Sequence, residues 1–485
     1  MEKLVGLGAD GASVNNGDKS SVKTKLREEM PWLIFGWCMA HKLELGIKDA
    51  LKGTFFDEVD EMLLRLYYLY KRSPKKLREL QEIHDLVKES MEYDDTGVKP
   101  VRANGTRWVA HRVAAMKKVL DKFDVYMVHL ESLCNDASYS TKDRAKFQGY
   151  FKKWNSTEML LNIAYYIDIL EPIRLLSITF QKSDIDVVKS ARALSNVQRD
   201  IRRMKTRTIS RFPSVAMTQR NIALKEGREI YKGSFVVKNM DDQCRKINEK
   251  KENEIEKISQ ATMSRLQEEQ ESFLTDICDI LDTECWLRTN ESKEEELEFA
   301  DDGVINMFKR FETPLKKAGL SCNEAEILQQ WHDLISYANK NLSAPNVPYR
   351  ITWRRIFDSS RAQVDFKDIL LIAEICFCLP CSTAALERAF SRMKRLKTNL
   401  RCAIGESRLE NIMRIGESGV PIEQFNAKPF VSAWAEGKLR RPNQKSRRKY
   451  KQRIKKANNN EWSSSESEFE GFDLSDVENE IKKIS

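Results

Sequence analysis

Two apolar runs near the start of the chain decide its fold: Lys3-Leu4-Val5-Gly6-Leu7-Gly8-Ala9, closed by Asp10-Gly11, and Trp32-Leu33-Ile34-Phe35-Gly36-Trp37. Both are short and continuous and read as buried strands. Between them, Ser20 to Met30 is amphipathic. After them, Cys38 to Leu51 places Leu43, Ile47 and Leu51 on one helical face. Strand, helix, strand, helix over residues 1–52 predicts the opening of an α/β core.

Beyond Gly53 the pattern changes. Apolar residues recur at helical spacing, as in Leu63, Leu66, Tyr67 and Tyr70, and strand-like alternation is scarce. Residues 53–366 are therefore expected to form a large all-helical insertion. Within it, Glu249 to Glu271 is dense in charge, with Ile255, Ile258 and Leu266 as sparse apolar positions. That composition predicts a long exposed helix or weak coiled coil, with disorder as the competing reading. Residues 367–435 turn apolar again and read as two or three helices. With 12 prolines and 19 glycines in 485 residues, the chain has few of the turn formers an all-β protein needs. The predicted class is mixed and predominantly α.

The formal net charge is +9. Residues 438–456 hold eleven basic and no acidic side chains, whereas 457–485 hold eight acidic and two basic ones, so residues 1–437 carry only +4. The 436–485 tail is expected to be disordered. Its basic run resembles a nuclear import signal, and the acidic Ser463-Ser464-Ser465-Glu466-Ser467-Glu468 segment offers phosphorylation sites. No apolar run approaches about 18 residues, so no membrane span is expected. The first ten residues lack the basic and apolar regions of a signal peptide. Ten scattered cysteines suit a reducing compartment. Cys376, Cys378 and Cys381 are close enough in sequence to hold a metal. No histidine follows to complete a finger, and their apolar setting predicts buried structural thiols.

Four motifs carry potential chemistry. Gly8-Ala9-Asp10-Gly11-Ala12-Ser13 puts a carboxylate at the carboxyl end of a buried strand, either as a turn residue or as a ligand for Mg²⁺. Cys38-Met39-Ala40-His41 puts a histidine at a strand-to-helix junction, where it is structural or touches a phosphate. Asn104-Gly105-Thr106-Arg107-Trp108 offers an Arg–Trp pair, either anchoring a helix start or stacking on a base. Pro380-Cys381-Ser382-Thr383-Ala384-Ala385-Leu386-Glu387-Arg388-Ala389-Phe390-Ser391 opens a helix with one apolar stripe. Glu387 flanks that stripe among Arg388, Arg392, Lys394, Arg395 and Lys397, either as an intrahelical ion-pair partner or as a metal-binding carboxylate beside a DNA backbone.

In this order the four motifs resemble the hAT (hobo/Activator/Tam3) transposase superfamily, and more narrowly its domesticated zinc-finger-associated branch in animals. The resemblance spans about residues 1–430. It implies an RNase H-like core with an Asp, Asp, Glu site, interrupted by a helical insertion and closed by a C-terminal dimerisation region. By this resemblance Asp10 stands for the second catalytic Asp and Glu387 for the final Glu, the two binding Mg²⁺ if the site is active. Cys38 and His41 stand for the CxxH bordering the site. Arg107 and Trp108 stand for the insertion's Arg–Trp motif. His41, Arg107, Trp108, Arg388, Arg392 and Arg395 become candidate DNA contacts.

One departure qualifies this. The first catalytic Asp and the BED-type zinc finger should both precede Asp10, and neither occurs in this sequence. The expectation is therefore a transposase-derived nuclear protein with a partial core and no catalysis. It would need no cofactor, would dimerise through 367–435 with a second copy or a related hAT-derived protein, and would bind DNA in a salt-sensitive way. Two other readings stand beside it: an active metal-dependent transposase lacking its N-terminus, and a helical chromatin-associated scaffold.

Overall fold

A computed structural model of the protein describes residues 4–90, 97–103, 107–225, 227–236, 239–267, 271–286, 299–342, 347–398, 401–420 and 422–436. It is predominantly helical, and the two opening runs form strands as expected. β1 (Gly6–Ala9) pairs in parallel with β2 (Ile34–Trp37), Gly6 opposite Ile34 and Ala9 opposite Trp37. The crossover between them carries α1 (Ser13–Asn16) and α2 (Val22–Glu29). A capping box fixes the start of α2, Ser21 accepting from the Thr24 N–H and Thr24 from the Ser21 N–H. α3 (Met39–Leu51) follows β2 directly, and its Leu43, Ile47 and Leu51 are buried.

The helices α4 (Phe56–Lys71), α5 (Pro74–Ser90), α6 (Trp108–Asp121), α7 (Phe123–Asn135) and α8 (Thr141–Trp154) gather around α9 (Thr157–Phe180). α9 is apolar on every side, so every residue from Met159 to Leu170 is buried. Next come α10 (Val187–Thr206) and α11 (Pro213–Arg220). α12 (Met240–Gln267) then packs Cys244, Ile247, Ile255 and Ile258 into the same core. The long helix is as expected, and its buried face corrects the expected exposure. These apolar positions recur at steps of three, eight and three, which keeps them on one buried face despite the charge around them.

A second departure lies between α11 and α12. The segment expected to be wholly helical contains a three-stranded antiparallel sheet of β3 (Ile222–Lys225), β4 (Arg228–Tyr231) and β5 (Ser234–Phe235). β4 and β5 join through Lys232 and Gly233, both with positive φ (45° and 82°), the backbone of a tight type I′ hairpin.

A second apolar cluster is built from α13 (Glu271–Leu281), α14 (Thr283–Trp286), α15 (Asp301–Arg310), α16 (Glu312–Ala318), α17 (Glu324–Asn341), α18 (Tyr349–Asp358), α19 (Ser360–Asp365) and α20 (Lys367–Cys378). Trp286 lies at its centre, edge-on to Trp331 at 5.0 Å and to Trp353 at 5.3 Å. Ile34 of β2 joins this cluster while Leu43 of α3 joins the first, so the small sheet stands where the two cores meet.

The helices α21 (Ala384–Leu396), α22 (Glu406–Ser418) and α23 (Lys428–Glu436) close the described chain. The chain divides into two compact units, Met1–Arg395 and Leu396–Ser485. Among the described residues no helix is long and apolar enough to cross a membrane. The basic run 438–456 and the acidic segment after it lie outside the described residues.

Candidate functional site

Three of the four motifs meet at the carboxyl end of the parallel pair. Gly6, Gly8 and Gly36 line one face of it, and Pro380 rests against them. A Cβ at Gly6 would lie 2.7 Å from Pro380 Cδ, and one at Gly36 would lie 2.7 Å from the Pro380 carbonyl oxygen. Only glycine admits so close an approach. The Cys38 N–H donates to the Ala9 carbonyl at 3.0 Å, and the Met39 N–H reaches the Cys381 carbonyl at 3.4 Å. Segments more than 300 residues apart in sequence are thus tied together through backbone groups.

The Arg–Trp motif joins through a residue that sequence reading missed. Glu44, on α3 one turn beyond His41, is buried. One carboxylate oxygen accepts the Val109 N–H at 2.7 Å, serving an otherwise unpaired donor in the first turn of α6. The other accepts the Ser177 hydroxyl at 2.8 Å. Burial holds the Glu44 carboxyl above the usual glutamate range, against the opposing pull of the Val109 and Ser177 hydrogen bonds and of Arg112 and Arg107. The chain of contacts continues from Ser177 to the Gln181 side chain at 3.0 Å, and the Gln181 carbonyl accepts from Arg388 at 3.1 Å. Cys38 and Met39 thus tie the second motif to the first and fourth, and Glu44 ties α3 to Val109, the residue after the Arg–Trp motif. Nothing local in the sequence marks Glu44, because its partners lie 65 and 133 positions away.

Each predicted residue can now be placed. Asp10 is exposed, and its Oδ1 accepts from the Ala12 N–H at 3.2 Å and from Asn15 Nδ2 at 2.7 Å, the geometry of a turn carboxylate. His41 is half-buried on the first turn of α3. Arg107 precedes α6, and Asn104 to Thr106 lie outside the described residues. The Trp108 ring is held between Phe56, 5.4 Å between centroids, and the Arg112 guanidinium at 4.6 Å. Arg112 in turn pairs with Asp60 at 2.9 Å and donates to the Ala103 carbonyl. Trp108 is thus an anchor for the start of α6. Beside it, burial and the cations Arg102, Arg107 and Arg112 hold His111 below the ordinary histidine range.

Glu387 is exposed on α21. Arg392 is half-buried, and Arg395 is exposed with Lys394 and Lys397. Arg388 points the other way, toward the end of α9. Among the described residues, no group of three or more His, Cys, Asp and Glu side chains is placed to hold a metal ion. Of the three clustered cysteines only Cys376 is fully buried, whereas Cys381 is half-buried and Cys378 exposed at the end of α20. Burial pushes the Cys381 thiol up to about 12 and Cys376 higher still, so both remain protonated near neutrality.

No protein-family model matches the chain.

Proposed function

We propose that the chain is a transposase-derived nuclear protein of the hAT type, without catalysis, that pairs with a second copy and contacts DNA through α21. β1, β2 and α3 are read as part of an RNase H-like core, and residues 367–435 as the pairing region. What supports the family reading is the meeting of its first, second and fourth motifs at the β1–β2 pair, with the start of α6 tied to α3 through Glu44. The loss of catalysis is supported by Asp10 serving its own turn.

The observation that carries the pairing is a concentration of uncovered apolar side chains. On α21, Leu386 and Phe390 are 50% and 57% exposed. Within the second unit, Ile415, Val420, Phe425, Phe430 and Val431 are exposed as well. Isolated exposed apolar residues need no explanation, but several on one helix, as on α21, or within one unit, as in the second, mark a surface that buries itself against a partner. A second copy is the simplest such partner, because the same patch then serves both sides of a two-fold interface.

Sedimentation equilibrium tests this directly. The wild-type chain is expected at twice its 56.4 kDa mass, and a Leu386→Glu/Phe390→Glu variant at the single mass. A wild-type chain at the single mass across the concentration range rejects the pairing. DNA contact rests on Lys394, Arg395 and Lys397, exposed on and just after α21. Nuclear entry is assigned to 438–456, and deleting that run should move a fluorescent fusion out of the nucleus.

A further inference from the structure

A cleft of about 380 Å³ opens on the side of the first core, away from the motif junction. α12 forms one wall, the first turns of α9 another, and the turn at Gly53, Thr54 and Phe55 the third. Lys250 projects from α12 into this cleft among aromatic rings. Its Nζ lies 5.2 Å from the Phe55 ring centroid, 5.6 Å from that of Tyr166 and 5.9 Å from that of Tyr165. It donates to Asn162 Oδ1 at 2.7 Å, and Glu254 Oε1 stands 3.7 Å away. The Tyr166 hydroxyl donates to the same Glu254 oxygen at 3.4 Å.

Two further lysines on the same face of α12, Lys246 and Lys257, line the cleft and are exposed. Lys246 is paired with Asp242 at 2.8 Å. Lys250 differs from both in being fixed by an amide, half-enclosed by rings and set beside a buried carboxylate. We infer that Lys250 is a nucleophilic amine that forms an imine with a small aldehyde or ketone held in this cleft. Lys257 and Glu158 line the same cleft with opposite charges, so its lining sets no preference for an anion.

The chemistry balances within the site. The neutral amine nitrogen adds its lone pair to the carbonyl carbon, and the carbonyl π pair moves onto oxygen. Glu254 carries the first proton shed by nitrogen to the alkoxide, which gives the carbinolamine, and then the second to its hydroxyl, which departs as water. One C–N double bond replaces the C–O double bond, and one water leaves. No oxidant or reductant is consumed. Burial lowers the pKa of Lys250, against the opposing effect of Glu254, so more of its amine is neutral than in an ordinary lysine.

Pyridoxal 5′-phosphate, an aldehyde, is a suitable probe. The full-length protein is incubated with substoichiometric amounts, reduced with borohydride, digested and sequenced by mass spectrometry. The expected result is label on Lys250 ahead of Lys246 and Lys257, with slower labelling in Glu254→Gln. Lys250→Met should lose that label while keeping the wild-type circular dichroism. The competition among three lysines of one cleft needs no variant, so it stands even if Lys250→Met fails to fold. Label distributed equally over the three, or absent from Lys250, overturns the assignment.

Discussion

The helices α9 and α21 solve the same problem in opposite ways. α9 reads Met159-Leu160-Leu161-Asn162-Ile163-Ala164-Tyr165-Tyr166-Ile167-Asp168-Ile169-Leu170 and is enclosed on every side. Even its polar residues are provided for: Asp168 accepts the Ser214 and Val215 N–H groups at 2.9 and 3.1 Å, at the start of α11. α21 carries one apolar stripe on a charged helix, and the stripe is left half-covered. An all-apolar helix satisfies its burial within one chain. A one-sided helix at the edge of a unit leaves that need to something outside it.

The sharpest way to break this contrast is to truncate each helix in turn. Leu160→Ala, at a fully buried position of α9, should cost about 2–5 kcal/mol in a denaturant titration. A smaller loss would mean that α9 does not hold its core together. Phe390→Ala should leave the melt of the isolated chain within about 0.5 kcal/mol of wild type. The same change should weaken self-association, measured as a shift of the sedimentation profile toward the single mass. A large stability loss with unchanged mass would place the α21 stripe inside its own fold and remove the basis for pairing.

A finer test concerns the polar end of α9, where Ser177 meets Glu44. The folded protein holds the proton of Glu44 more tightly than the unfolded chain does. As pH rises from the ordinary glutamate pKa of about 4.3 toward the higher folded value, the unfolded chain releases this proton first, and stability falls. Glu44→Gln should flatten that part of the pH profile. Its amide oxygen can accept the Val109 N–H, and its NH₂ then donates to the Ser177 hydroxyl, which turns round. A profile parallel to wild type would show that Glu44 titrates as an ordinary carboxyl.

The same contrast shows what the sequence could reveal. β1, β2 and α3 were legible because a short apolar run or a single apolar face is a local property. Leu43, Ile47 and Leu51 announce their burial by spacing alone. The β3–β5 sheet was not legible: its strands are two to four residues long and β3 is mostly exposed. Lys232-Gly233 is a weak turn signal beside an Asn-Gly pair. α12 was misread because charge density concealed a narrow buried face. At the candidate site the four motifs were legible as residue types. Their roles were not, because Trp108 packs on the distant Phe56 and Arg388 donates to the distant Gln181 carbonyl.

Arg388 gives the smallest effect and the most discriminating one. It was expected on the DNA-facing side of α21, yet its guanidinium donates to the Gln181 carbonyl at 3.1 Å, at the end of α9. A cation there pairs with a carbonyl that the helix leaves unbonded and also meets the negative end of the helix dipole. Arg388→Ala should therefore cost about 1 kcal/mol in stability, while Arg388→Lys recovers part of it through charge alone. Arg395→Ala, at an exposed position, should leave the melt unchanged and instead reduce the salt slope of DNA binding by about one. If Arg388→Ala lowers the salt slope and spares the melt, α21 has been assigned backwards: its tie to α9 would be incidental, and its whole basic surface would face the nucleic acid.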